Sequence, residues 1–182
     1  MGQSKALLSW GTTSLIDHQV TTLALYTEIT RIVVVLGHKA DELRAALHHA
    51  KIQIAINHNY REGRASSLVT GAKALTDLVP VSVLVCNVDQ PLAPEIIAPL
   101  IAAYRACPDA ILRPVHAGRT GHPLIVPSDI APELLLVREK TLGLRAVTAR
   151  HKKRIRSVPV TSKLATLNLN TPAAFRAARA QY

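Results

Sequence analysis

The sequence has 182 residues and a formal net charge of +10, and 48% of its residues are hydrophobic but only 3% aromatic. This length suits one domain over residues 1–182 with its own core, and no apolar run reaches the roughly 20 residues that cross a bilayer. Two cysteines exclude a disulfide framework, eight scattered histidines form no zinc motif, and the start is no signal peptide, so we expect a cytoplasmic protein.

The first part of the chain alternates helical and strand patterns. Gly2 followed by Lys5 suits a loop that approaches a phosphate, and Thr13 or Ser14 is a candidate N-cap for the first helix. Apolar spacing and β-branched runs predict a helix, a strand, a second helix and a second strand at residues 15–26, 31–36, 41–50 and 52–56.

A polar stretch separates the second strand from a helix that carries Leu68, Ala72 and Leu75. Free amides and two hydroxyls at the start of a helix suit the binding of an anion or a polar ring. An ordinary serine N-cap explains the same pattern without a ligand. The polar and small residues concerned are Asn57, Asn59, Glu62, Gly63, Ser66 and Ser67.

The stretch VSVLVCNVDQPL at residues 81–92 organises the rest of the chain. A continuous apolar run ends abruptly in polar residues and turns at Pro91, which predicts a buried parallel strand whose carboxyl end opens onto a site. Ligands of open α/β sheets bind outside such strand ends, so Asp89 is the best candidate to hold a metal ion or a hydroxyl. Alternatively, Asp89 only caps the helix that begins near Pro94.

The second half continues the alternation. A helix over 94–104 precedes two short strands around a glycine-containing turn, a hairpin or out-and-back excursion. The basic run HKKRIR at 151–156 is either a solvated helix end or a nucleic-acid patch. Thr171 followed by Pro172 marks the start of a last helix. The remaining elements are strands at 110–115, 123–126 and 155–160 and helices at 128–137 and 142–150, so we expect one three-layer α/β/α domain.

Six short motifs occur in a familiar order along the whole chain. They are MGQSKALLSWG at the start, VLGH from Val35, EGRASSLVTGAKAL from Glu62, VDQPL from Val88, GHPLIVP from Gly121 and LNLNTPAAF near the end. Together they resemble the MobA-like NTP transferases that attach a nucleotide to molybdenum cofactor, most closely the molybdenum cofactor cytidylyltransferases. The resemblance implies a Rossmann-like nucleotidyltransferase fold, mainly parallel with a small antiparallel excursion.

The resemblance also implies an activity and the residues that perform it. CMP or GMP would pass from CTP or GTP to molybdopterin with release of pyrophosphate, in a Mg²⁺-dependent reaction, and a molybdoenzyme would receive the product. The nucleotide would contact Gly2, Lys5, Asn87 and Asp89. Lys5 and Asp89 would be catalytic. Asp89 with Asn168 or Asn170 would hold the metal, although the Asn-x-Asn-Thr-Pro sequence looks like the guanylyltransferase branch. Molybdopterin would contact Glu62, Gly63, Ser66, Ser67, Gly121 and His122.

The family opens with a central strand and a glycine-rich loop, of which this sequence has only the end, Met1 to Lys5. One explanation is a start at an internal methionine, with about fifteen to twenty residues upstream, the length of a strand and its loop. The other is an impaired form. In that form we expect an open slot in the sheet, with unpaired backbone groups on both neighbouring strands.

Three other functions fit parts of the sequence. The same fold could act on another phosphorylated acceptor, or bind molybdenum cofactor and hand it to a molybdoenzyme without nucleotide transfer. A nucleic-acid-binding module would use the basic run, since a net charge of +10 attracts any polyanion. The scarcity of aromatic residues counts against single-stranded nucleic acid, because such proteins stack bases on aromatic side chains.

Overall fold

A computed structural model describes residues 4–50, 52–78 and 81–179. A short hairpin of β1 (Ser9–Trp10) and β2 (Thr13–Ser14) leads into the first helix, α1 (Leu15–Ala24). The Ser14 hydroxyl accepts a hydrogen bond from the Asp17 N–H at 3.3 Å, so one of the two predicted N-caps is confirmed. Every helix in the described ranges is too short or too polar to traverse a bilayer.

Strands and helices then alternate along the chain, which confirms the predicted α/β class. The hydroxyl of Thr171 accepts from the Ala174 N–H at 3.1 Å and caps the last helix, as its position before proline predicts. In chain order the elements are β3 (Ile32–Leu36), α2 (Ala40–Ala45), β4 (Ile52–Ile56), α3 (Arg64–Lys73), β5 (Val83–Val85), α4 (Pro94–Ala106), β6 (Ile111–His116), β7 (Arg119–Thr120), β8 (Leu124–Val126), α5 (Leu144–Arg150), β9 (Ile155–Pro159) and α6 (Pro172–Arg179).

Three predicted elements differ from the structure. Helix α2 ends at Ala45 instead of continuing to residue 50, because the His48 N–H donates to the carboxylate of Asp17 at 3.2 Å and so leaves the helical path. Residues Ala131–Leu136 form a 3₁₀ helix rather than an α-helix. The organising strand is reduced to β5, since the Asn87–Gln90 turn ends it early. It pairs antiparallel with β8, so the predicted parallel direction is wrong.

The strands form two main sheets, one of which is parallel and the other mixed. Strands β3 and β4 pair in parallel, from Ile32 opposite Ile52 to Leu36 opposite Ile56. The other sheet is mixed: β8 lies antiparallel between β5 and β6, β7 pairs antiparallel with β6 as the predicted excursion, and β9 pairs with β6 in parallel.

Helices cover both faces of this arrangement. On one face, side chains of α1 and α4 form a single apolar cluster with Ile32 of β3 and Leu84 of β5. On the opposite face of β5, Val83 and Val85 pack against Leu68 of α3. Side chains alternate between the faces of a strand, so both sheets lie between the same two helical layers.

An apolar cleft separates β3 from β5, and no strand pairing joins them within the described ranges. Both strands line its cavity of about 1410 Å³, together with α1 and α3. The Leu36 carbonyl accepts from the Asn57 N–H at 2.7 Å, so the peptide groups of Leu36 and Val34 point toward β4. Those of Val33 and Val35 therefore face the cleft.

This geometry predicts an alternating pattern of amide hydrogen exchange along β3. The amides of Val33 and Val35 should exchange roughly tenfold or more faster than those of Val34 and Leu36, because only the latter face a paired strand. Exchange can be followed by two-dimensional NMR. The amide of Ala55, which faces β3 from β4, is a protected control. Equal protection of Val33 and Val34 would mean that the cleft-facing edge is paired in solution.

Candidate active site

A tight turn at the exit of β5 carries the candidate catalytic carboxylate. The Gln90 N–H donates to the Asn87 carbonyl at 3.1 Å, which places Asp89 at the tip of the turn. Helix α4 begins at Pro94 with Ala93 as its N-cap and has no side-chain cap, so the alternative that Asp89 caps this helix is wrong. Among the described residues, the Asp89 carboxylate makes no hydrogen bond or ion pair and is half-buried.

Two glutamines that sequence reasoning missed hold this turn. The buried side chain of Gln19 on α1 donates to the carbonyl of Asn87 at 3.2 Å and to that of Gln90 at 2.8 Å. The Gln90 amide accepts from the Asn87 side chain and donates to Asn168 Oδ1 at 2.8 Å. The available signal was a glutamine beside Val20 on the apolar face of a predicted helix, since buried polar groups need partners.

The segment before α6 closes over the other side of Asp89. The Leu169 N–H donates to the Asp89 carbonyl at 2.8 Å, which brings the flanking asparagines to the turn. Lys5 Nζ donates to Asn170 Oδ1 at 2.7 Å. The structure therefore brings Lys5, Asp89, Asn168 and Asn170 together, although they come from the beginning, the middle and the end of the sequence.

These oxygen atoms suit a hard divalent cation. The carboxylate of Asp89 is open, and the amide oxygens of Asn168 and Asn170 each accept one hydrogen bond and keep a second lone pair. The described residues contain no cluster of three histidine, cysteine or acidic side chains, and Asp89 is the carboxylate that lies beside these two asparagines. Mg²⁺ sites of that kind are completed by substrate phosphates and water.

Gly121 and His122 adjoin the same turn. The His122 N–H donates to the Ala165 carbonyl at 2.9 Å, and a Cβ at Gly121 would lie 1.9 Å from that carbonyl oxygen, so only glycine fits there. Burial lowers the pKa of His122, the charges of Arg64 and Arg145 lower it further, and Asp89 opposes them. The neutral ring can accept at Nδ1 from the Asn87 amide, 3.4 Å away.

The polar loop before α3 is divided between two cavities. Gly63, with φ of +99°, is the N-cap of α3, so the serine N-cap expected from the sequence is wrong. Asn57 donates to the hydroxyls of Ser66 and Ser67 at 2.9 and 3.0 Å. Ser67 lines the cavity of Asp89, whereas Ser66, together with Glu62, lines a separate cavity of about 650 Å³ on the other side of α3. Gly2 lies outside the described residues.

The fold is that of an α/β nucleotidyltransferase. A nucleotidyl transferase from Methanothermobacter thermautotroptrophicus has a TM-score of 0.79 at 18% identity, covering 97% of this chain and 84% of that chain. Rv0371c in complex with manganese, from Mycobacterium tuberculosis H37Rv, has a TM-score of 0.72 at 22% identity over 98% and 93%. Molybdopterin-guanine dinucleotide biosynthesis protein A from Archaeoglobus fulgidus has a TM-score of 0.64 at 16% identity over 99% and 91%.

The chain belongs to the MobA-like NTP transferase domain family, whose profile matches residues 1–155. This confirms the resemblance found in the sequence. The structural neighbours are all below 25% identity and establish the fold alone. A comparison with curated proteins found no match.

Replacing Gln19 tests whether its hydrogen bonds stabilise the Asp89 turn. Gln19→Leu keeps the volume of the side chain but removes the donor of the Gln90 carbonyl and one of the two donors of the Asn87 carbonyl, so we expect a loss of about 1–3 kcal/mol in the free energy of unfolding. Urea denaturation measures this change. Gln53→Leu, at an exposed position of β4, is the matched control and should change stability by less than about 0.5 kcal/mol. Equal stability of the Gln19→Leu and Gln53→Leu variants would contradict a stabilising role of the Gln19 side chain.

Two partly buried histidines predict how stability depends on pH. Burial lowers the pKa of His18 and of His122 below the ordinary value of 6.5. As the pH falls, these histidines therefore bind protons in the unfolded chain before they do so in the folded chain. Their contribution to the free energy of unfolding is complete above pH 6.5 and declines as the pH drops from there toward the folded-state pKa values. Urea denaturation between pH 7.5 and 5 should show this decline. His18→Gln and His122→Gln should each reduce its slope, and an unaltered slope in both variants would refute the assignment.

Proposed function

We propose that this chain transfers CMP or GMP from a nucleoside triphosphate to a terminal phosphate of molybdopterin, with release of pyrophosphate. The observation that carries the proposal is the open carboxylate of Asp89 at the exit of β5, next to the Lys5–Asn170 pair, in a chain of the MobA-like family. Sites for phosphoryl chemistry combine such a carboxylate with a cation that neutralises phosphate charge.

Each residue of the cluster has a role in this reaction. Lys5 lies 2.7 Å from Asn170 and can turn its ammonium toward the triphosphate, where it offsets negative charge. Asp89, with Asn168 and Asn170, would hold Mg²⁺. The metal, when bound, supplies charge neutralisation at the triphosphate. The hydrogen bonds from Gln19 and Leu169 keep the Asp89 backbone in place, so the site is positioned before substrate arrives.

The transfer needs no protein nucleophile. An oxygen of the acceptor phosphate attacks the α-phosphorus, a new P–O bond forms, and the bond from that phosphorus to the oxygen that leads to the β-phosphorus breaks, so pyrophosphate leaves. We assign Ser67, Gly121 and His122 to the acceptor side because they line the cavity of Asp89. Gly63 and Ser66 build the start of α3, where the Ser66 hydroxyl donates to the Gly63 carbonyl at 2.7 Å. Glu62 faces the other cavity.

The basic run at 151–156 supports this function over nucleic-acid binding. Arg154 is held by the carboxylate of Asp129 and the carbonyl of Asp109. Arg156 donates to the carbonyls of Lys153 and Ile155 at 3.0 and 3.2 Å. Both guanidinium groups therefore have partners within the chain, which is typical of a helix end rather than of a phosphate-binding patch.

Removing the charge of Asp89 tests the proposal. Asp89→Asn should lower turnover by about 100-fold or more, because the proposed metal site loses the negative charge of Asp89. The measurement is pyrophosphate release from CTP and from GTP in the presence of molybdopterin and Mg²⁺. Asp41→Asn, at an exposed position of α2, is the matched control and should retain activity. Normal turnover by Asp89→Asn, with both variants folded by circular dichroism, would refute the role.

A further inference from the structure

Two arginines with no assigned role lie on the acceptor side of the Asp89 cavity. Arg64 is the first residue of α3 and Arg145 the second residue of α5, and both side chains are exposed. They line the same cavity as Asp89, Ser67 and His122. The positive charges of both lower the pKa of His122, so guanidinium groups from two separate helices act on the same ring in this cavity.

These two arginines differ from the others in that cavity and in their own helices. Arg31 also lines the cavity, but Asp77 binds it at 2.9 Å, and Arg113 donates to the Ser157 hydroxyl at 3.4 Å. Arg150, further along α5, is paired with Glu133 at 2.5 Å. Within the described ranges, neither Arg64 nor Arg145 forms an ion pair or a hydrogen bond through its side chain.

A glutamate in the same cavity does not neutralise them through an ion pair. Glu139 lines the cavity, but its Oε2 accepts from the Ala65 N–H at 2.8 Å and so occupies the start of α3. Two like charges that line one cavity without an ion-pair partner are unfavourable for the folded chain, and an oxygen-rich dianion bound by both reduces that cost. Guanidinium groups bind phosphate through paired, parallel hydrogen bonds, which suits a terminal phosphate with free oxygens.

We propose that Arg64 and Arg145 form the binding site for the phosphate monoester of the acceptor. The assignment rests on the proposed function, since it places the acceptor on the His122 side of Asp89 and the triphosphate on the Lys5 side. The Asn87 side chain, which contacts both Gln90 and His122, lies between the two sides. The arginine pair therefore selects acceptors that end in a phosphate and positions an oxygen of that phosphate for attack.

Inorganic phosphate is the probe for the first experiment, and the ring signals of His122 in two-dimensional NMR are the readout. Phosphate should shift these signals saturably in the native protein. Arg64→Gln and Arg145→Gln should each weaken the affinity by at least about tenfold, because a charged hydrogen-bond donor is lost. Arg150→Gln is the matched control on α5 and should bind phosphate as the native protein does. The Lys variants of Arg64 and Arg145 should bind with intermediate affinity, since they retain the charge without the planar fork.

Turnover with molybdopterin supplies the second readout. Arg64→Gln and Arg145→Gln should raise the KM for molybdopterin at least about tenfold while the KM for the nucleoside triphosphate stays unchanged. Urea denaturation shows whether each variant is folded. Unchanged phosphate affinity in both folded glutamine variants overturns the arginine site, even where Asp89→Asn abolishes turnover. Phosphate binding that depends on the pair, together with normal turnover by Asp89→Asn, instead overturns the function proposed for Asp89 and leaves the anion site in place.

Discussion

One buried amide connects the first helix to the catalytic turn. The side chain of Gln19 donates to the carbonyls of Asn87 and Gln90, so α1 fixes the backbone that carries Asp89. On the outer side, the Leu169 N–H holds the Asp89 carbonyl. The geometry of the site thus depends on hydrogen bonds between segments far apart in sequence. The loss of any one of them affects the others, because buried networks of this kind are cooperative.

The hydrogen bonds of Gln19 to the Asp89 turn also compensate for the missing pairing between the two sheets. Strands β3 and β5 are separated by a cleft, so main-chain hydrogen bonds do not fix one relative to the other within the described ranges. Apolar packing fixes the two strands instead: Val20 and Leu23 of α1 belong to the cluster that also contains Ile32, Leu84 and residues of α4. Helix α1 therefore holds both sheets and the Asp89 turn.

Local patterns predicted most of the elements but not their partners. Periodicity and capping residues located α1, α4, β9 and α6, since these signals depend on near neighbours. The end of α2 depends on a bond from His48 to Asp17, and the direction of β5 depends on β8, so neither follows from local sequence. The order of six motifs grouped Lys5 with Asp89 and the asparagines, and the structure places these residues at the same turn. The motif order gave no indication of Gln19, whose role depends on hydrogen bonds to a turn about 70 residues further along the chain.

The charge distribution in the cleft favours entry of the metal together with the nucleotide. One carboxylate and two amide oxygens are a small donor set, and Mg²⁺ sites of this kind usually take their remaining ligands from phosphate and water. Lys5 and the two unpaired arginines make the surroundings strongly positive, which repels a free cation but attracts a triphosphate that already carries one. The net charge of +10 would attract both anionic substrates of the proposed reaction. In the proposed reaction, the anionic substrates complete a site that the protein supplies only in part.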